Sequence, residues 1–397
     1  MPQSKTFCTL PWMHVATSPG GSYRICCNSD SKNNKLTLNG EQLKLHKHGI
    51  DQLHKSETMQ EVRKQMLAGE RPDTCRRCFN QEDAGVRSSR QIYNEVWYDG
   101  KDVKVDDPVV PRYVDLRLGN LCNLKCRMCN PYSSNQWVED WEEINGKFDE
   151  NERAWLLDMK WPEYKGTNDH LKEMMGTVEE IYFTGGEPTI IKRHEELLDY
   201  CIEQGLASNI KLKYNTNLTN APLRLIERWQ HFKFLRLNCS IDGVGKLNDY
   251  IRPPSKWRGV WKNYNRVLEN TTNRVLDIHT TVQVTNILHM HKLLEKFVRP
   301  EEDISWDVVP FVFFNILENP DYLNIKILPK ELKTLVQERL EPWVGHTDLA
   351  QLQGVLDYMW YEDQSDKWDS FVKHTHQLDN MRGQHLLDVV PEFKGWL

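Results

Sequence analysis

The chain has 397 residues, with 51 Lys and Arg against 57 Asp and Glu. Hydrophobic residues make up 39% and charged residues 27%, which is typical of a globular protein and excludes a collagen-like or intrinsically disordered one. The formal net charge of -6 at pH 7 argues against a protein whose main task is to bind nucleic acid, so no nucleic-acid partner is expected.

Apolar runs in the sequence are short. Val308–Phe314, one of the longest, is far below the roughly 20 residues needed to cross a bilayer. Residues 1–20 lack the basic-then-apolar layout of a secretory signal. We therefore expect a cytoplasmic protein with no membrane partner.

Three composition regimes follow one another along the chain. Residues 1–111 are rich in Cys, Gly, Lys and Asn and predict a small α+β domain of short elements. Residues 112–328 alternate strand and helix patterns, and residues 329–397 form helical patterns rich in Trp and acidic groups. These three ranges are the predicted domains.

Six strands are predicted in the middle range, most of them rich in β-branched or aromatic residues. They are Tyr113–Leu118, Glu180–Thr184, Ile210–Tyr214, Phe234–Ile241, Leu276–Val284 and Ser305–Val309. The helical patterns between them cover 194–204, 221–230, 260–271 and 288–297. Helical crossovers favour parallel pairing, and six strands are fewer than the eight of a closed barrel. The predicted fold class is α/β, a partial (β/α)6 TIM-like barrel with a small N-terminal Cys-rich α+β domain and a helical C-terminal extension.

Ten cysteines are distributed unevenly, and eight of them precede residue 130. In a reducing cytoplasm such clustering indicates metal ligands rather than disulfides. Neighbouring thiolates form a soft site that selects zinc, copper(I) or an iron-sulfur cluster. Cys201 and Cys239 fall on a predicted helix and a predicted strand, and we interpret them as core residues.

A three-cysteine loop follows the first predicted strand. Cys122, Cys126 and Cys129 are separated by three and then two residues. Each thiolate can bind one iron of a 4Fe-4S cubane, which leaves the fourth iron open for a substrate or cofactor. The loop follows the carboxyl end of a parallel strand, where α/β folds place their chemistry. A zinc site completed elsewhere and an electron-carrying cluster with a fourth protein ligand are the alternatives.

The second predicted strand ends in Gly-Gly-Glu-Pro at residues 185–188. Two glycines allow the backbone to turn sharply and to approach a ligand closely. The carboxylate of Glu187 can pair with an ammonium group.

The two motifs together resemble the radical S-adenosylmethionine (radical SAM) enzymes. The resemblance implies that Cys122, Cys126 and Cys129 ligate a 4Fe-4S cluster whose open iron chelates S-adenosylmethionine. It also implies that the methionine amine of that cofactor is held by the motif Gly185, Gly186 and Glu187. The residue before the last cysteine is commonly aromatic in the family and is Met128 here.

A later segment, residues 238–243 with 250–252, is similar to one in the peptide-modifying branch of the family. By that likeness, Ser240 and Arg252 are candidates for the ribose and carboxylate of the cofactor, and Asp242 shapes the loop. Asn215, near the end of the third strand, is a weaker candidate for cofactor binding. A turn cap and a surface ion pair are the alternative roles of Ser240 and Arg252.

Four more cysteines in residues 1–111 form a second constellation. Cys75 and Cys78 can chelate one metal centre from one turn. A glycine turn at residues 20–21 predicts a hairpin that brings Cys26 back towards Cys8. Cys27 is an alternative to Cys26, and a structural zinc ribbon is an alternative to a cluster. The basic run at residues 87–90 is interpreted as a solvated turn.

The ordering of these four cysteines is similar to the SPASM and twitch domains of radical SAM enzymes, which hold auxiliary iron-sulfur clusters. Four ligands suffice for one cluster, so the smaller twitch type fits residues 1–111 better. In familiar members of the family this domain follows the barrel, whereas here it precedes it.

The resemblance implies reductive cleavage of S-adenosylmethionine to a 5'-deoxyadenosyl radical that abstracts a substrate hydrogen. It implies an electron donor such as flavodoxin or ferredoxin, and no catalytic side chain beyond the cluster is identified. The expected substrate is a peptide or protein side chain that is oxidised or cross-linked. The alternatives are a small sugar or nucleotide substrate and a non-catalytic iron-sulfur electron-transfer or scaffold protein.

Overall fold

The computed structural model describes residues 4–29, 35–298, 310–346, 349 and 351–397. All ten cysteines lie in these ranges and none forms a disulfide. Across the same ranges, no helix is both long enough and apolar enough to cross a membrane.

Ten strands lie in the described ranges. They are β1 (His14–Thr17), β2 (Tyr23–Arg24), β3 (Thr37–Leu38), β4 (Glu41–Gln42), β5 (Tyr113–Arg117), β6 (Glu180–Thr184), β7 (Lys211–Thr216), β8 (Phe234–Ser240), β9 (Arg274–Val282) and β10 (Val312–Ile316). β3 and β4 form a separate two-stranded sheet.

The α-helices that precede β6 are α1 (Leu10–Met13), α2 (Glu57–Leu67), α3 (Arg76–Asp83), α4 (Ser89–Trp97), α5 (Val138–Asn145), α6 (Glu150–Leu157) and α7 (Lys165–Met174). Those that follow β6 are α8 (Lys192–Glu203), α9 (Leu223–Trp229), α10 (Lys246–Ile251), α11 (Trp257–Asn270), α12 (Val284–Ile287), α13 (Met290–Phe297), α14 (Lys330–Leu340), α15 (Leu352–Tyr361) and α16 (Trp368–Arg382).

The main sheet has eight strands in the order β10-β9-β8-β7-β6-β5-β1-β2. The pairs β1–β5, β5–β6, β8–β9 and β9–β10 are parallel, and the hairpin β1–β2 is antiparallel. From β5 to β10 the strands follow one another in chain order, with helices between most neighbours, as successive βα units require. The mostly parallel sheet confirms the predicted α/β class with a partial barrel-like arrangement.

The chain divides into two compact units. One comprises Met1–Leu121, Asp158–Lys213 and Arg228–Phe234, and the other comprises Cys122–Leu157, Tyr214–Glu227 and Leu235–Leu397. The three-part division at residues 111 and 328 stays a prediction.

In the first unit, the N-terminal segment belongs to the main sheet. His14 of β1 pairs in parallel register with Tyr113 of β5, and the His14 and Tyr113 rings stack at 4.4 Å. The predicted glycine hairpin is present, and Gly21 at its tip has a φ of +78°. A Cβ on Gly21 would lie 2.7 Å from the Trp161 ring, so only glycine fits this turn.

Arg63 of α2 also holds the N-terminal segment in place. Its side chain is fully buried and donates hydrogen bonds to the carbonyls of Pro11, Val105 and Asp107 at 2.7, 2.8 and 2.6 Å. The guanidinium also lies 5.0 Å from the centre of the Trp12 ring. A buried arginine that donates to several carbonyls ties two chain segments to one helix.

In the second unit, β9 and the helix after it are separated by a capping box. Gln283 and Asn286 exchange side-chain to backbone hydrogen bonds at the start of α12. This cap ends β9 at Val282, two residues before the predicted end of that strand. The predicted strand Ser305–Val309 lies outside the described residues, whereas β10, which no prediction covered, occupies Val312–Ile316.

Candidate active site

The three-cysteine loop lies in the second unit and is fixed through its main chain. The N–H of Lys125 donates to the carbonyl of Pro253 at 2.7 Å, and the N–H of Arg127 donates to the carbonyl of Ile251 at 2.8 Å. Cys126 lies between these two anchored residues. The last residue of α10 and Pro253 after it therefore hold the middle of the loop in place.

The polar groups around the cysteines are also bonded. The N–H of Cys122 donates to Oδ1 of Asn135 at 3.1 Å. The carbonyl of Cys126 accepts from the indole N–H of Trp137 at 2.8 Å and from the N–H of Cys129 at 2.9 Å. These bonds give the loop a defined shape, and the sulfur of Cys122 itself accepts from the N–H of Leu124 at 3.4 Å.

The thiols of the loop are close enough to affect one another electrostatically. Burial, together with the neighbouring thiols of Cys126 and Cys122, raises the pKa of Cys129 to about 12. Burial also raises the pKa of Cys126, which the cation of Arg252 opposes. Cys126 and Cys129 are therefore protonated at neutral pH without a metal and would release protons when a metal binds.

Arg252 is the predicted cofactor residue that lies nearest to the cysteines. Its Nη1 is 3.7 Å from the Cys126 sulfur, and its Nε is 2.7 Å from Oδ2 of Asp242. Burial would lower the pKa of Arg252, but Asp242 and Cys126 outweigh burial and raise it. The ion pair is buried rather than at the surface, so Arg252 presents a permanent charge beside the cysteine loop.

Asp242 shapes its loop, as the sequence suggested. Its Oδ1 accepts from the N–H of Thr281 at 2.7 Å, and its own N–H donates to Oδ1 of Asn248 at 3.2 Å. The carboxylate therefore orients Arg252 from a fixed position.

Arg127, inside the cysteine loop, is a residue that sequence reasoning missed. It is buried, it pairs with Asp379 of α16, and it donates to Oε1 of Gln384 at 3.1 Å. Its guanidinium lies 3.7 Å from the centre of the Tyr250 ring, and the Tyr250 hydroxyl donates to Asp379 at 2.9 Å. The C-terminal extension thus bonds directly to the cysteine loop.

Arg382 at the end of α16 makes a second connection to the loop. Its Nε donates to Oδ2 of Asp140 at 2.8 Å, and the other oxygen of Asp140 accepts from Nζ of Lys125 at 2.8 Å. The Arg382 guanidinium lies 4.6 Å from the centre of the Trp137 ring. A position 253 residues after residue 129 carries no sequence signal that would link it to the cysteines.

The Gly-Gly-Glu motif lies in the first unit, at the end of β6. The N–H of Glu187 donates to the carbonyl of Leu121 at 2.9 Å, and a Cβ on Gly186 would lie 2.1 Å from that same oxygen. Leu121 directly precedes Cys122 in the chain. The absence of a side chain at Gly186 therefore allows the strand end to approach the Leu121 carbonyl closely.

Glu187 is fully buried at this strand end. Its Oε1 accepts from the Thr189 hydroxyl at 2.7 Å and from the Thr189 N–H at 3.2 Å. Gly185, before it, has a φ of +107°, which only glycine adopts without strain. The carboxylate is thus oriented by its own turn.

The two remaining predicted cofactor residues lie on strands of the second unit. Asn215 is exposed on β7, and its Oδ1 accepts from the side-chain amide of Asn238 at 2.8 Å. Ser240 is half-buried at the end of β8 and stands opposite His279 of β9. These contacts assign no role in cofactor binding to Asn215 or Ser240.

The four N-terminal cysteines lie together in the first unit. Cys8, Cys26, Cys75 and Cys78 line one cavity. Burial raises the pKa of Cys8 to about 12 and raises the pKa of each of the other three thiols. Four thiols from three separate chain segments therefore converge on one buried space.

Cys27, the neighbour of Cys26 in the chain, makes a different contact. Its sulfur lies 3.8 Å from the Tyr93 hydroxyl, and it is absent from the cavity lining that contains Cys26. The sequence predicted a solvated turn at residues 87–90, and this is wrong for Arg90. Its side chain is buried and lines the cavity. The basic composition of residues 87–90 suggests an exposed segment. Glu82 pairs with Arg90, however, and the Phe7 carbonyl accepts a hydrogen bond from it, so the buried charge is satisfied.

The donor atoms fit the cofactors that the sequence implied. Three thiols of one short loop with a buried arginine beside Cys126 suit a negatively charged iron-sulfur cluster. Within the described parts of the chain, no three His, Cys, Asp or Glu side chains converge on a point that one metal ion could occupy. A 4Fe-4S cluster receives each thiolate at a separate iron.

A comparison with models of protein families finds a match in the central part of the chain. The family model of the Radical SAM superfamily matches residues 116–297. No match was found among curated proteins.

Three solved structures are similar at low identity. Native anSMEcpe with bound AdoMet and Cp18Cys peptide is 15% identical over 58% of this chain and 59% of that chain, with a TM-score of 0.37. Streptococcus suis SuiB bound to S-adenosylmethionine is 16% identical over 72% of this chain and 53% of that chain, with a TM-score of 0.34. TYW1 with a lysine-pyruvate adduct is 12% identical over 57% of this chain and 73% of that chain, with a TM-score of 0.29. The chain spans less than two thirds of the length of anSMEcpe and of SuiB.

The range matched by the family model contains both motifs from which the site was built. The cysteine loop at residues 122–129 and the Gly-Gly-Glu motif at residues 185–187 both lie within it, as does Arg252. Residues 116–297 therefore match the Radical SAM superfamily.

Proposed function

We propose that the chain cleaves S-adenosylmethionine at a 4Fe-4S cluster bound by Cys122, Cys126 and Cys129 and oxidises a side chain of a peptide or protein. The observation that carries the proposal is the anchored cysteine loop with the Arg252 cation 3.7 Å from Cys126. When bound, the cluster supplies the electron that splits the cofactor into methionine and the radical that removes a substrate hydrogen.

The residues of the chain have separate tasks in this proposal. The buried thiols bind the irons, and Arg252 offsets negative charge and binds the cofactor carboxylate. Gly185, Gly186 and Glu187 hold the cofactor amine, with Glu187 as the acceptor. Ser240 and Asn215 are proposed contacts to the rest of the cofactor.

The side chains along one row of the sheet in the first unit support the proposal of a polar substrate. Register places Arg24 and Asp115 on either side of Ala16, with Tyr182 next to Asp115. Asp115 is buried, and burial raises its pKa, which Arg117 opposes. The charged and hydrogen-bonding side chains around Ala16 suit the amides and side chains of a peptide.

The four N-terminal cysteines are proposed to hold an auxiliary iron-sulfur cluster, with Cys8, Cys26, Cys75 and Cys78 as ligands. Support comes from the cavity that these four cysteines share, whose lining contains Cys26 and not Cys27. In this proposal, residues 1–111 act as a twitch-like domain. Its role would be to accept an electron from the product radical, while a flavodoxin or ferredoxin reduces the first cluster.

Replacing the three loop cysteines by alanine is expected to abolish the activity. The variant Cys122→Ala/Cys126→Ala/Cys129→Ala should lose about four irons per chain and form no 5'-deoxyadenosine with dithionite and S-adenosylmethionine. Cys201→Ala, which removes a buried thiol of α8, is the control and should cleave the cofactor normally. If the fully loaded natural chain forms no 5'-deoxyadenosine, the protein is an electron carrier or scaffold.

A Cβ at Gly186 should disturb the start of the cysteine loop. Since it would lie 2.1 Å from the Leu121 carbonyl, Gly186→Ala should weaken S-adenosylmethionine binding at least about tenfold, or ~1.4 kcal/mol. Gly176→Ala is the matched control, because a Cβ there has no described neighbour within 4 Å. Binding is measured by titration calorimetry of the reconstituted protein. Equal affinity in both variants would remove the motif from the cofactor site.

Metal analysis of the same triple-cysteine variant tests the auxiliary site. About four irons per chain should remain, and Cys26→Ala in that background should remove them, whereas Cys27→Ala should not. The reason is that only Cys26 lines the four-thiol cavity. Zinc in place of the remaining iron would show that the N-terminal site is a zinc ribbon.

The substrate class can be tested without knowing the substrate. A peptide fraction from the source cells should stimulate 5'-deoxyadenosine formation, and protease treatment of that fraction should abolish the effect. Stimulation by a protease-resistant fraction of small molecules would instead favour a sugar or nucleotide substrate. The triple-cysteine variant provides the background rate for both fractions.

A further inference from the structure

Arg382 of the C-terminal extension has polar atoms that the described residues leave unpaired. Its side chain is 3% exposed, and its Nε donates to Asp140. Nη1 and Nη2 are both buried, and neither has a hydrogen-bond partner in the described parts of the chain. Buried charged donors without acceptors are costly, so a missing acceptor is indicated.

The charges around the cysteine loop do not balance. Four cations, Lys125, Arg127, Arg252 and Arg382, form ion pairs with only three carboxylates, Asp140, Asp242 and Asp379. Asp140 is shared, because Lys125 and Arg382 each bind one of its oxygens. One positive charge is therefore left over, which an anion at the loop would balance.

Arg382 lies beside the middle cysteine of the loop. Its guanidinium packs on the ring of Trp137, and the indole N–H of Trp137 donates to the Cys126 carbonyl at 2.8 Å. The guanidinium and the Cys126 thiol also interact electrostatically. The packing on Trp137 and the bond to Asp140 fix the guanidinium from two sides.

We propose that Arg382 is a cluster-binding residue whose Nη groups donate hydrogen bonds to sulfur at the Cys126 corner of the 4Fe-4S cluster. The proposal rests on the proposed function, because it requires a cluster at Cys122, Cys126 and Cys129. Hydrogen bonds and positive charge at cluster sulfurs raise the reduction potential. Arg382 would therefore make the cluster easier to reduce.

The test compares Arg382→Met and Arg382→Lys with the natural chain after reconstitution. The redox titration follows the EPR signal that changes when S-adenosylmethionine is added, which identifies the cluster at the three-cysteine loop, and it is run without that cofactor. In Arg382→Met the ratio of reduced to oxidised cluster at a fixed potential should fall about tenfold, or 59 mV for one electron. Arg382→Lys keeps the charge and should give a smaller shift.

Arg339→Met is the matched control from the same extension. Arg339 pairs with Glu392 and donates to the Leu288 carbonyl at 2.9 Å. Its removal should leave the potential unchanged, and iron content measured in all variants corrects for incomplete loading.

The outcomes separate this inference from the proposed function. If the natural chain binds no iron at the loop or shows no signal that responds to S-adenosylmethionine, the proposed function fails. If it loads normally and Arg382→Met has the same potential, only the role of Arg382 is overturned. An unchanged potential with weaker S-adenosylmethionine binding would overturn it too, and would assign the Nη groups to the cofactor carboxylate.

Discussion

The site depends on keeping three thiols of one short loop in a fixed arrangement without a regular secondary structure. Main-chain hydrogen bonds from Lys125 and Arg127 to residues 253 and 251 supply part of the constraint. The buried pair between Arg127 and Asp379 supplies another part, since breaking such a pair leaves a buried charge without compensation. Both constraints act on the residues that flank Cys126.

The C-terminal extension takes part in the site through α16. Asp379 and Arg382 lie one helical turn apart on this helix, and both reach groups that hold the cysteine loop. Asp379 also accepts from the N–H of Leu386 at 2.8 Å, so the chain after the helix is fixed by the same carboxylate. An extension that follows the matched family range therefore contributes to the order of the central domain.

Much of this arrangement follows from local sequence. The cysteine spacing, the Gly-Gly-Glu-Pro strand end and the alternation of strands and helices all predict features that depend on neighbouring residues. The glycine hairpin that returns the chain towards Cys8 was likewise predicted, because a turn is decided by a few residues. The convergence of Cys26 with Cys75 and Cys78 followed from the assumption that clustered thiols share one metal site.

Other features depend on contacts between distant positions and could not be predicted. The parallel pairing of β1 with β5 joins segments about a hundred residues apart, and the short strand β1 has no pattern that specifies its partner. The proposed preference for Cys26 over Cys27 rests on which of the two neighbours lines the cavity, and no local sequence pattern distinguishes them. The basic run that contains Arg90 has an exposed composition, yet Glu82 and the Phe7 carbonyl stabilise this arginine in the interior.

In the proposed function, the cluster at Cys122, Cys126 and Cys129 has one iron without a protein ligand, to which S-adenosylmethionine binds. Electron-nuclear double resonance of the reduced protein with cofactor labelled by 15N at the amine and 13C at the carboxylate tests this most directly. If S-adenosylmethionine binds that iron, both labels should show hyperfine coupling to the cluster spin. Coupling from neither label, with a fourth protein ligand on that iron, would contradict it.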